Sequence, residues 1–184
     1  MRREEALALV KQNIFSKNLI RHCLAVEAVM RSLARHFDKD EEKWGLAGLV
    51  HDIDCEMTKR DPDRHSYVGA DMLQDLRVDE DVVSAVKTHN YKHGIEPKTL
   101  IEKALFVSDP ITGLIAASAL VLPSKKLEDL KVESVLKRYK EKDFAKGANR
   151  EVISRCEEYL GLSLEEFVKI SLEAMRGISD DLGL

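Results

Sequence analysis

Four histidines and two aspartates, His22, His51, Asp52, His65, His89 and Asp109, have side chains suited to joint chemistry. Neutral imidazole nitrogen and anionic carboxylate oxygen are the donors that divalent metals take. The adjacent pair His51-Asp52 is their focus, because it closes the apolar run Trp44-Gly45-Leu46-Ala47-Gly48-Leu49-Val50. Trp44, Ala47 and His51 recur at i, i+3 and i+7, the spacing of one helix face, so His51 should emerge inward at the end of a buried helix. A single histidine of this kind is ordinarily a hydrogen-bonded packing residue. Six groups of ligand chemistry, each at the end or edge of its own apolar stripe, are better explained by a shared ion. His36 is set apart as structural, since a cation near a helix C-terminus complements the helix dipole.

The elements that must deliver these groups are all helical in period, and no alternating strand pattern is found. A helix from Ser16 or Lys17 to about Phe37 buries Leu19, Cys23, Val26, Met30 and Leu33, with His22 at the edge of that stripe. Asp40 should cap the helix from Glu41 to His51. The polar segment from Asp54 to Asp63 reads as a loop, and loops beside a site carry substrate contacts. A helix is expected from about Arg64 to Leu76. Asp79 should cap another, bringing His89 into line with Val82 and Val86. Thr99 and Glu102 have capping-box spacing for a helix bearing Leu105 and Asp109, which Pro110 should kink or interrupt. A buried apolar helix follows from Ile111 to Leu122. Beyond it come a lysine-rich stretch from Lys125 to Lys146, a helix from Asn149 to Leu160, and one capped by Ser163 and Glu166.

Composition narrows the class. At 184 residues with 44% apolar and 34% charged side chains, one globular domain over residues 1–184 is expected. The formal charge of −4 lacks the basic footprint of a general nucleic-acid binder, so nucleic acid is an unfavoured partner. The lysine-rich stretch is interleaved with Glu128, Asp129, Glu133, Glu141 and Asp143, as in a solvated helix face. Three cysteines without CxxC spacing argue against a disulfide framework or zinc knuckle and for a reducing, cytoplasmic setting. Neither a signal peptide nor a membrane span is expected.

The order His22, then His51-Asp52, then Asp109 resembles the HD superfamily of metal-dependent phosphohydrolases, as do the contexts Arg21-His22-Cys23 and Gly48-Leu49-Val50-His51-Asp52-Ile53-Asp54. The resemblance covers about residues 17–122. It implies an all-α fold, a single helical HD-domain bundle, with residues 123–184 as C-terminal accessory helices. That last region, with Leu122-Pro123-Ser124-Lys125 and Phe144-Ala145-Lys146-Gly147, looks like that of a small bacterial and archaeal subgroup. His65 and His89 fall where some members carry two further histidines for a two-metal centre. The resemblance thus implies His22, His51, Asp52, His65, His89 and Asp109 as metal ligands, with Asp52 bridging. Certain members place an acid shortly after His-Asp. Asp54 and Glu56 bracket that position and Cys55 occupies it, and Glu56 is the candidate catalytic partner of Asp52.

The chemistry so implied is hydrolysis of a phosphate ester, mono or di, in a nucleotide or similar small phosphorylated molecule. One or two divalent ions (Mn, Fe, Co, Ni, Mg or Zn) would neutralise phosphoryl oxygens and bring a bound water toward a pKa of ~7. The donor count favours two. Lys59, Arg60 and Arg64 are first candidates to receive substrate phosphate, and Lys92 and His93 the second. Two rivals use the same residues: a di-iron centre that activates oxygen, and a regulatory module that binds metal and nucleotide without turnover.

Overall fold

The structure is a computed structural model describing residues 1–184. It contains helices and turns and no strand. In chain order the helices are α1 (Arg3–Asn13), α2 (Lys17–His36), α3 (Glu41–Val50), α4 (Tyr67–Asp75), α5 (Glu80–Thr88), α6 (Leu100–Leu120), α7 (Val132–Lys140), α8 (Arg150–Ser154), α9 (Cys156–Leu160), α10 (Leu164–Arg176) and α11 (Ser179–Leu182). The fold is an all-α bundle. None of its helices is long and apolar enough to cross a membrane.

The centre of the bundle is α2 packed along α3. Both glycines of α3 face α2: a Cβ at Gly48 would lie 2.8 Å from the Val26 carbonyl oxygen, and one at Gly45 would strike the Arg31 guanidinium. The two main chains touch because residue 48 has no side chain. Helix α6 crosses α2 and α5 and is apolar nearly all round, with Leu105, Ile111, Leu114 and Ile115 fully buried. One apolar core runs continuously from Ala6 on α1 to Leu182 on α11.

Local signals set most helix starts. Asp40 accepts from the Lys43 N–H, Asp79 from that of Asp81, and Thr99–Glu102 and Ser163–Glu166 form reciprocal capping boxes. Three expectations need correction. Helix α6 continues through Pro110 without interruption. A proline inside a helix costs ~3 kcal/mol, which the burial of several large side chains at ~1.5–3 kcal/mol each exceeds. The helix expected from Arg64 begins at Tyr67 instead, after a 3-10 turn over Pro62–Arg64 and a left-handed Ser66 at φ 73°. The helix expected from Asn149 to Leu160 breaks at Arg155. Helix α1 has no counterpart among the helices expected; its signals are the Glu5 carboxylate accepting from the Arg2 backbone N–H at 2.8 Å and Ala6 and Val10 buried one turn apart.

Candidate metal centre

His51 and His89 are delivered by the same device. Each is the C-cap of its helix, α3 and α5, where the last carbonyls lack helical partners. Each ring turns back and donates its Nδ1–H to the carbonyl three residues earlier: His51 to Gly48 at 2.8 Å, His89 to Val86 at 2.6 Å. A carbonyl can only accept, so Nδ1 holds the proton and Nε2 is left with a free lone pair. His22, in the middle of α2, faces Thr112 of α6 through Nδ1 at 3.2 Å, and the Thr112 hydroxyl donates to the Asp109 carbonyl at 2.8 Å.

His65 is held by charge. Its Nδ1–H donates to Asp54, which is fully buried and also accepts from the N–H groups of Ser66 and Gly69, all at 2.8 Å. Those two N–H groups begin α4, so Asp54 caps that helix from a distant part of the chain. This explains why α4 starts three residues later than the apolar period alone indicates. Gly69 permits the approach, since a Cβ there would lie 3.2 Å from the Asp54 carboxyl carbon.

With each Nδ1 committed outward, the four Nε2 atoms converge on Asp52. Its Oδ2 lies 3.6 Å from His22 and 3.5 Å from His51, and its Oδ1 lies 3.2 Å from His65 and 3.6 Å from His89. Asp109 Oδ1 is 3.0 Å from His22 and 3.9 Å from His51. Two donors ~2.1 Å from one ion stand ~3.0–3.4 Å apart for right or tetrahedral angles. His22 and His51 oppose Nε2 to Nε2 at 3.2 Å, a repulsive pairing unless a proton or cation lies between them. The donor set fits divalent ions: two clusters, His22–His51–Asp109 and His51–Asp52–His89, each gather three ligand atoms within 4.8 Å.

The electrostatics are those of a crowded, largely dry site. Burial holds His51 down to about 4, so it is neutral at physiological pH. Burial works to raise Asp52, but His51, His65, His89 and His22 together hold it well below the usual carboxylate range. For His65 burial works downward too, and hydrogen bonds to Asp52 and then Asp54 overcome it, taking the imidazole up to about 10. The proton this places on Nε2 is the one that a metal would replace. Cys55 is pushed up to about 12, first by burial and then by Asp52 and Asp54, so it stays a neutral thiol and not a thiolate ligand.

A cleft of about 350 Å³ opens onto Asp52, His65, His89 and Asp109, and Lys59 and Lys92 line it together with Asn90 and Tyr91. Arg60 and Arg64 are exposed and do not line it. His93 is turned away, donating from Nε2 to the His65 carbonyl at 2.6 Å and packing its ring on Tyr67. Glu56 is committed elsewhere: its carboxylate accepts from the Phe15 and Ser16 N–H groups at 3.1 and 2.8 Å, at the start of α2. The group that sequence reasoning undervalued is Asp54, whose role depends on partners at residues 65, 66 and 69.

Comparison with known proteins bears on the same residues. The sequence model of the HD domain matches residues 19–114. The chain is similar to an uncharacterised protein of Methanocaldococcus jannaschii, with 32% identity over 150 residues, 76% of this chain and 85% of that one. It is also similar to Ribonuclease Y of Nitratidesulfovibrio vulgaris, 29% identical over 119 residues, 63% of this chain and 22% of that one. Ribonuclease Y of Oleidesulfovibrio alaskensis is 26% identical over 133 residues, 68% of this chain and 25% of the relative. This chain therefore spans about a quarter of the ribonucleases' own length.

Proposed function

The chain belongs to the HD-domain family, whose members are in general metal-dependent hydrolases, and from that premise we propose that it is a phosphohydrolase with a two-metal centre. Its substrate is a nucleotide or similar small phosphorylated molecule. The observation that carries the reading is the convergence of four Nε2 atoms on the two oxygens of one carboxylate, with every Nδ1 tied outward. His22, His51 and Asp109 would hold one ion and His65 and His89 the other, with Asp52 within reach of both sets. Bound there, the ions supply a nucleophilic water at neutral pH and neutralise the phosphoryl oxygens. Asp52 fixes the alignment of the two halves, and Lys59 and Lys92 receive phosphate at the mouth of the cleft. Arg60 and Arg64 serve only as outer cations that steer an anionic substrate. The centre needs neither Glu56 nor His93 in contact with substrate. We read residues 1–184 as a single domain with a core over about 17–122, acting in a reducing cytoplasm that suits three unpaired cysteines.

A phosphodiester substrate with an RNA end is the second reading, supported by the name of the ribonuclease relatives. Metal analysis of the purified protein, followed by phosphate-release and diester-cleavage screens with Mn, Co, Ni and Fe, tests both. Hydrolysis of small mono- or diesters supports the first, and cleavage of RNA ends alone the second. Retained iron with an oxygen-dependent optical change would replace both with the oxygen-activating rival. A nucleotide-dependent rise in Tm without turnover would leave a regulatory module.

A further inference from the structure

A second cavity, of about 360 Å³, touches the metal centre from the other side. It is a slot between α2 and α6, floored by Met175 of α10 and closed by Leu182 and Leu184. His22 and Thr112 form its inner end, so the slot stops where the centre begins. Its walls differ in chemistry from the cleft of Lys59 and Lys92. They are apolar or small, and its polar groups outside the centre, Asn18 and Arg21, are exposed at its mouth.

Gly113 marks the open side of the slot. It lies mid-helix in α6, one turn after Asp109, and lines the slot. Glycine is the poorest helix former after proline, and its usual excuse is a neighbour that leaves no room for a side chain. Gly45, Gly48 and Gly69 have that excuse; at Gly113 an added Cβ would meet nothing within 4 Å. Gly113 is exposed, so the protein's own packing does not require the glycine, and a side chain added there would extend into the open mouth of the slot.

Resting on the phosphohydrolase reading, we propose that this slot seats the ring of the substrate, a nucleobase, while the phosphoryl group lies at the metal centre. Apolar walls disfavour a bare sugar, which would strand its hydroxyls. The amide of Asn18 and guanidinium of Arg21 at the slot's exposed mouth suit a flat ring with heteroatoms on its edge better than a hydrocarbon. The volume is near the lower end of small-molecule sites, ~300–1,000 Å³, and admits one nucleoside-sized body.

Nucleosides carry the ring without the phosphate, so they test the slot apart from turnover. Adenosine, guanosine, cytidine, uridine and free ribose are titrated calorimetrically into the metal-loaded protein. At least one nucleoside should bind ten times or more tighter than ribose. Gly113→Leu should abolish that preference with metal content unchanged, and Ala117→Leu, one turn further along the same face, should do the same if the first variant folds poorly. The proposal is overturned if no nucleoside outbinds ribose, if folded Gly113→Leu keeps the preference, or if octanol binds in the slot and all four nucleosides do not. Gly113-dependent nucleoside binding without phosphate release from any nucleotide would sink the hydrolase reading and leave the slot standing. Equal kcat/KM for esters with and without a base, with no nucleoside binding, would do the reverse.

Discussion

On the Oδ2 side of Asp52, His22 and His51 come from helices locked together at Gly48, and Asp109 adds a carboxylate directly. On the Oδ1 side, His65 comes from a turn and His89 from a helix end, and the supporting carboxylate, Asp54, stands one residue further out. The two halves meet different surfaces: Asp109, His65 and His89 line the cleft of Lys59 and Lys92, and His22 lines the slot between α2 and α6. His51 and His89, one from each half, are buried, so each half pairs a buried imidazole with a partly exposed one.

Removing the shared group should erase the difference. Asp52→Ala is expected to abolish turnover, by more than ~1,000-fold, and to weaken metal binding on both sides in a folded protein, as judged by elemental analysis beside circular dichroism. His51→Ala should do nearly as much. Wild-type rates in either variant with excess metal would end the assignment. Breaking the His65–His89 half alone is next in size. His65→Ala or His89→Ala should lower metal content from two ions per chain toward one and cut the rate steeply. Saturation of the wild type at one ion, with both variants still binding it, would leave a single-ion centre. Asp54→Asn should loosen only the ion on the His65–His89 side, by ~10–100-fold in affinity as for other outer partners of ligating histidines.

His51 and His65 should also titrate in opposite directions once metal is stripped. His51 folds with its pKa lowered to about 4, so the unfolded chain binds the extra proton below ~6.5 and stability falls between those values. The full loss is ~3 kcal/mol for a shift of that size at a buried site. His65 folds with its pKa raised to about 10, so its contribution is complete below ~6.5 and is lost as pH climbs through 10. Chelator-treated protein should therefore be most resistant to urea near pH 6–7. His51→Gln should flatten the acid limb and His65→Gln the alkaline limb; a swap of those two effects would reverse the description of the two imidazoles. The smallest effects belong to the rim. Lys59→Ala and Lys92→Ala should raise KM severalfold with kcat little changed, and Arg60→Ala and Arg64→Ala should do so less.

What could be read without coordinates divides along the length of chain each feature spans. Caps at Asp40, Asp79, Thr99 and Ser163 involve residues two or three positions apart, and the apolar periods that turn His51 and His89 inward span one or two turns. These were legible. Asp54 and Glu56 look alike in sequence, two acids after an aspartate in a polar loop. One reaches residues 65, 66 and 69 and the other residues 15 and 16, and only folding tells them apart. Glu56 was the candidate with chemistry, and its carboxylate is held at the start of α2. Pro110 misled for a related reason: its local penalty is real, but packing along the whole of α6 outweighs it.

The meeting of α3 with α2 at Gly48 has a consequence for how this molecule can be altered. His22 lies one turn before Val26, and His51 one turn beyond Gly48, so the interval between their rings is gauged by main chain against main chain. A contact between side chains can be retuned a methyl at a time; this one offers no intermediate setting. The segments from Cys55 to Lys59 and from Asn90 to Lys92 lie outside the gauge. An engineer changing what the protein accepts would edit those segments. Changing the separation of the His22 and His51 rings would mean moving a helix.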